Sequence, residues 1–313
     1  MDYRWDKPWD HSIAFFRFRT YHKQLNEMYW AFYYGTAALG KDAGKVKKSG
    51  ISSKDYFNFA VDSIDYPNYN VVKDWQSWES SYEEFENLTR VNLLLDANSY
   101  FEVYLRSIYT LAMESRPDIL LGRASQIDGL GLYKKLHNYH YSEKIAQGSS
   151  GKYMFYNNLL ELTKNDWQKR NNAFSGIFGK TPEFLSKNRK ELDEIRTTRN
   201  TIGHFFGRNK TDENGEIKLP TDEMLRLADA HLKKLLDVIY RSAKAIDEYL
   251  FPSYIGSYEC ILFCLQYAKR NAIEVLDSNV GSIVVGATTE LKKMGYTVSN
   301  EYMREAIRIY LAM

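Results

Sequence analysis

Arg196, Arg199, Asn200 and His204 crowd into one polar stretch, ELDEIRTTRNTIGHFFG, over residues 191–207. Histidine, with an ordinary pKa of about 6.5, takes and gives protons near neutral pH. Guanidinium stays charged and offers paired donors to phosphate oxygens. Together they suit metal-free cleavage of a phosphodiester beside a ribose 2′-hydroxyl, with the imidazole as base or acid and the guanidinium against the charge that builds on the phosphate. Asn200 can orient either group or the phosphate itself. Helical spacing sets Arg196, Asn200 and His204 at i, i+4 and i+8 on one stripe. Arg199 and His204, five apart, lie about 140° from each other around an ideal helix. They converge only through a long side chain, a partner chain, or a helix that ends at Gly203. Alone, the string is short, and a histidine at a helix end is usually a cap or a surface group.

Other residues carry weaker signals. Glu102, in Tyr100-Phe101-Glu102, is a candidate supporting acid, with a solvated or arginine-paired glutamate as the alternative. Arg208 and Lys210 follow the polar stretch and are candidates for a basic rim against a nucleic-acid backbone, where phosphate neutralisation supplies sequence-independent affinity. A solvated turn explains them equally well. His137 and His140 are three apart but lack a third ligand nearby. The run Tyr29-Trp30-Ala31-Phe32-Tyr33-Tyr34 offers stacking faces for unpaired bases, although a helical run of this kind must bury something. Gly40-x3-Gly44-Lys45-Val46 fails the phosphate-loop pattern in both its spacing and its missing hydroxyl. No zinc spacing or nucleotide-binding glycine fingerprint occurs, so neither a metal nor a cofactor is expected.

The positioning elements read as helices. Residues 1–80 look irregular, with a short strand at Phe15–Arg19, a helical pattern from Tyr21 to Leu39 and a Gly/Lys loop at Gly40–Gly50. From Ser81 to Met113 a capping box, Ser81 with Glu84, precedes apolar residues at helical spacing, and Pro117 marks the end. A second helix is predicted over Tyr153–Asn172. A third opens with Thr181 as N-cap and Pro182 in the first position, and runs to Gly203 or slightly beyond. Thr221 and Asp222 open a fourth, stopped by Pro252. Residues 253–313 predict a helix over Glu259–Leu276, a β-like piece at Ser282–Val285 and a terminal helix from about Ser299. Cys260 and Cys264 share one helical face and read as buried free thiols.

The segment Arg199-Asn200-Thr201-Ile202-Gly203-His204, preceded by the helix SYFEVYLRSIYTLAMESRP, resembles the HEPN superfamily over roughly residues 81–250. That family's hallmark is an arginine, a polar residue, a few spacers and a histidine late in a core helix. The resemblance implies an all-α fold, an antiparallel four- to five-helix bundle over residues 81–252, with an aromatic-rich N-terminal segment (1–80) and a small C-terminal helical appendage (253–313). It further implies a homodimer with two copies of the motif across a shared cleft, RNA as substrate, 2′,3′-cyclic phosphate and 5′-hydroxyl products, and toxin, antiviral or processing roles, with an antitoxin or regulatory protein as a further partner. Members regulated by nucleotidylation carry Tyr two residues after the motif histidine. Phe206 stands there instead. A non-catalytic module that binds a nucleotide or a protein is the alternative.

Composition bounds these expectations. The 313 residues are 44% hydrophobic, enough for a substantial core, and 42 Lys and Arg against 40 Asp and Glu leave a net charge of +2. Any nucleic-acid site is therefore local rather than global. The 25 Tyr and 16 Phe exclude a disordered chain. The opening MDYRWDKPWD has acids and no apolar run, and no apolar stretch reaches membrane-spanning length. A cytoplasmic location, away from membranes, follows as the expectation.

Overall fold

The computed structural model describes residues 9–57, 74–116, 155–205 and 225–312, with side chains in the third stretch described through Ile202. Among these residues there are eleven α-helices and no strand. They are α1 (Ile13–Lys48), α2 (Ser53–Tyr56), α3 (Trp75–Ser115), α4 (Tyr156–Thr163), α5 (Trp167–Phe178), α6 (Glu183–Lys187), α7 (Arg189–Phe205), α8 (Asp229–Leu250), α9 (Tyr258–Arg270), α10 (Val280–Lys293) and α11 (Asn300–Ala312). The protein is all-α, as expected.

Several local expectations are corrected. Phe15–Arg19 is helix, not strand, because Phe15 and Phe18 are buried at helical spacing in α1. The same helix continues through Gly40–Gly50 as far as Lys48 instead of opening into a loop. Gly40 lies against Tyr82, whose hydroxyl would stand 3.2 Å from an added Cβ. Lysines 45, 47 and 48 sit in the last turn, where the helix dipole favours cations. α3 begins six residues ahead of Ser81, with the Asp74 carboxylate accepting from Ser77 N at 2.7 Å, so the Ser81/Glu84 pair lies inside the helix. Trp75, Trp78 and Phe57 cluster with ring centroids 5.4–5.9 Å apart, apolar contact that outweighs a surface capping signal.

The second and third predicted helices are each divided. Asp166 caps α5 by accepting from Lys169 N at 2.9 Å, which separates α4 from α5. Pro182, not Thr181, is the N-cap of the short α6, and the Thr181 hydroxyl instead bonds the Asn171 carbonyl at 2.7 Å. Thr221 and Asp222 lie outside the described residues. Residues 225–228 precede α8 without helical structure. Asn87 holds them like a strand partner, donating to Leu225 O at 2.8 Å and accepting from Leu227 N at 2.9 Å. α8 ends at Leu250, as Pro252 predicts, and Pro252 itself sits in a π turn, Phe251–Ile255, that follows directly. Ser282–Val285 is helical. Ile283, Val284, Ala287 and Leu291 are buried along α10, and an added Cβ on Gly286 would lie 2.1 Å from the Tyr267 hydroxyl, so α9 and α10 approach closely there.

The chain divides into two units. The first comprises residues 1–20, 99–194 and 237–313. Its aromatic core includes Phe15, Phe18, Phe101, Tyr104, Phe174 and Phe178, all nearly inaccessible, each contributing about 1.5–3 kcal/mol through burial. The Tyr104 hydroxyl donates to Ala243 O at 2.9 Å. In the same unit α9, α10 and α11 pack on one another, and Cys260 and Cys264 lie in that core as free thiols whose pKa burial pushes up. The second unit comprises residues 21–98 and 195–236. There the Tyr29 hydroxyl donates to Asp229, and the Lys233 ammonium binds the same carboxylate at 2.8 Å. No helix among the described residues is long and apolar enough to cross a membrane.

Candidate active site

The polar stretch lies on α7. Leu192, Ile195 and Ile202 form its buried stripe, 1%, 1% and 8% exposed, which turns the intervening charged residues outward. Asp193 steadies the start of α5 by accepting from Trp167 N at 2.9 Å.

Arg199 is exposed, and its Nη1 donates to the Asn200 Oδ1 at 3.2 Å. Among the described residues no carboxylate pairs with it. Asn200 and Arg196 are half-buried. An arginine held by a neutral amide keeps its full charge and most of its donors for another anion. His204 stands in the last turn, and the helix runs one residue past it to Phe205. Termination at Gly203 is thereby closed as a way to bring the pair together. The helical backbone sets positions 199 and 204 about 140° apart around its axis.

The other candidates are dispersed. Glu102 is half-buried, and its carboxylate lies 3.0 Å from the Arg170 Nη1. Arg170 is itself only 4% exposed, donates from Nε to Asn165 O at 2.7 Å, and lies 4.9 Å from the Trp167 ring centroid. Glu102 is therefore the counter-ion of a buried guanidinium, and removing it would leave that charge uncompensated. Arg208, Lys210, His137 and His140 lie outside the described residues. Within the aromatic run, Tyr29 is buried while Tyr33 and Tyr34 are 39% and 65% exposed.

Sequence reasoning missed the group that anchors this run. The Lys233 Nζ lies 5.6, 4.9 and 5.3 Å from the ring centroids of Tyr29, Trp30 and Tyr33, within cation–π range. Burial, with the bond to Asp229, pushes the Tyr29 hydroxyl up to about 12. Burial alone would raise Asp229, but bonds from Lys233 and Tyr29 outweigh it and hold the carboxyl below its ordinary value. No local pattern could reveal a cluster whose members are two hundred residues apart in the chain.

No family model matches the chain, and comparison with curated proteins and with solved structures finds no match.

Proposed function

We propose that this protein is a metal-independent endoribonuclease of HEPN type that works as a homodimer. His204 serves as general base or acid toward the ribose 2′-hydroxyl and the leaving 5′-oxygen, Arg199 binds the phosphate as its charge builds, and Asn200 orients the guanidinium. Attack of the 2′-oxygen on phosphorus expels the 5′-oxygen, which leaves a 2′,3′-cyclic phosphate and a 5′-hydroxyl. One observation carries the reading. The Arg199 guanidinium is exposed, tethered to Asn200 and paired with no acid among the described residues, on the helix whose last turn holds His204. The spacing of positions 199 and 204, about 140° apart around an ideal helix, favours a dimer, because a second copy of α7 can supply the histidine. Glu102, engaged by Arg170, has no part in this proposal.

The test is incubation of the purified protein with mixed RNA in EDTA, beside Arg199→Ala and His204→Ala proteins. Each substitution is expected to lower cleavage by about a hundredfold or more, with circular dichroism unchanged. Cleavage that persists in His204→Ala, or that requires a divalent ion, overturns the mechanism. Binding of RNA without cleavage would leave a recognition module.

A further inference from the structure

A second site lies within the first unit. The start of α1, the C-terminal half of α3, α9 and the end of α10 enclose a cleft of about 610 Å³, within the size range of small-molecule sites. Its charged side chains are Arg17, Arg106, Glu114, Glu259, Arg270 and Glu290, while Leu111, Leu262, Phe263 and Met294 give it apolar walls. Such a mixture suits a ligand with a charged head and an apolar body.

The sign of the head follows from which charges are already spent. Arg270 and Glu290 neutralise each other at 2.7 Å. Glu114 is 3% exposed and is engaged within the fold. Glu259, 7% exposed, accepts from Ile13 N and Ala14 N. Burial raises its carboxyl to about 8 against the pull of those N–H groups and of Arg17, so at neutral pH it holds a proton and puts no full negative charge into the cleft. Against these stand two guanidinium groups with donors to spare. Arg17 is exposed, and among the described residues its Nη2 donates only to the Met294 thioether at 3.6 Å, a weak acceptor. Arg106 is exposed and has neither an ion pair nor a hydrogen bond among the described residues. Two like charges from α1 and α3 that line one cleft favour an anion there, and the guanidinium fork matches the two oxygens of a carboxylate. The acids beside them disfavour a second negative charge on the ligand.

We infer that this cleft binds a small amphipathic monocarboxylate, its head held by Arg17 and Arg106 and its aliphatic or aromatic body laid against Leu111, Leu262, Phe263 and Met294. This site is independent of the ribonuclease proposal.

The test is calorimetric titration of the full chain at neutral pH with indole-3-acetate, octanoate, indole-3-acetamide, tryptamine and acetate, repeated on Arg17→Ala and Arg106→Ala. The amide and the amine keep the indole body and change only the charge of the head, and acetate keeps the head and removes the body. At least one of the two larger carboxylates is expected to bind saturably, with the amide, the amine and acetate at least about tenfold weaker, and each substitution is expected to cost about tenfold in its affinity. The tighter of the two carboxylates assigns the body as aromatic or aliphatic. Both variants alter exposed side chains and are expected to keep the Tm of the unaltered protein, which separates lost binding from lost folding. Amide or amine binding as tightly as the carboxylate, acetate binding as tightly as the larger acids, unchanged carboxylate affinity in either variant, or no saturable binding below about 10 mM overturns the inference.

Discussion

The start of α1 and the end of α7 are both rich in polar groups, yet they are held in opposite ways. At α1 the Asp247 carboxylate, fully buried, accepts from Ser12 N at 3.3 Å, from the Ser12 hydroxyl and from His11 at 3.1 Å. Beside it Glu259 accepts from Ile13 N at 2.8 Å and Ala14 N at 3.3 Å. Two acids from distant segments thus cap one helix, and every donor named there has its acceptor. At α7 the Arg199 guanidinium is exposed and leans on a neighbouring amide. Polar groups that build a fold are buried and satisfied, whereas groups meant for a ligand are left with capacity to spare.

The sharpest way to break this contrast is Asp247→Ala. Leaving the Ser12 donors buried without their carboxylate should cost about 3–5 kcal/mol in chemical denaturation, and Asp247→Asn, which keeps an acceptor, should cost less. A loss under about 1 kcal/mol would make the cap ornamental.

Next in size is a pH effect at Glu259. Burial, aided by the nearby Asp247, raises its carboxyl to about 8 against an ordinary 4.5. Between those values the folded chain keeps a proton that the unfolded chain has released. Stability from this group is therefore complete below the unfolded pKa and falls as pH rises toward 8, by a few kcal/mol. Glu259→Gln should flatten that slope in denaturation curves measured from pH 5 to 8. An unchanged slope would assign the pH dependence elsewhere.

The smallest effect is expected at the other region. Arg199→Ala should change unfolding free energy by less than about 0.5 kcal/mol while removing RNA cleavage. A loss of about 2 kcal/mol or more would class Arg199 with the structural groups and erase the distinction.

Much of the helical content was legible because periodicity is local. The apolar spacing from Leu88 through Ile108 and from Leu232 through Ile246 located α3 and α8, and the Arg199–His204 string lies on the helix assigned to it. Errors fell where a local rule met a distant neighbour. The glycines at 40 and 44 suggested a loop, but Tyr82 lies against Gly40. Ile283, Val284 and Val285 suggested a strand, but close packing among α9, α10 and α11 requires a helix there. Nothing near Arg106 signalled a cleft, since its walls come from four helices.

Residue order alone was enough to place most of the long helices, to show that two thiols are buried on one helical face, and to set an arginine, an asparagine and a histidine in the last turns of one helix. Those properties depend on residues a few positions apart, within reach of the 3.6-residue repeat. Folding in three dimensions was needed to show that Asp247 and Glu259 cap α1, that Lys233 lies among the rings of Tyr29, Trp30 and Tyr33, and that Glu102 neutralises Arg170. These pairings join residues 68 to 246 positions apart, and their partners are selected by burial and charge compensation across the folded chain, which no local pattern encodes.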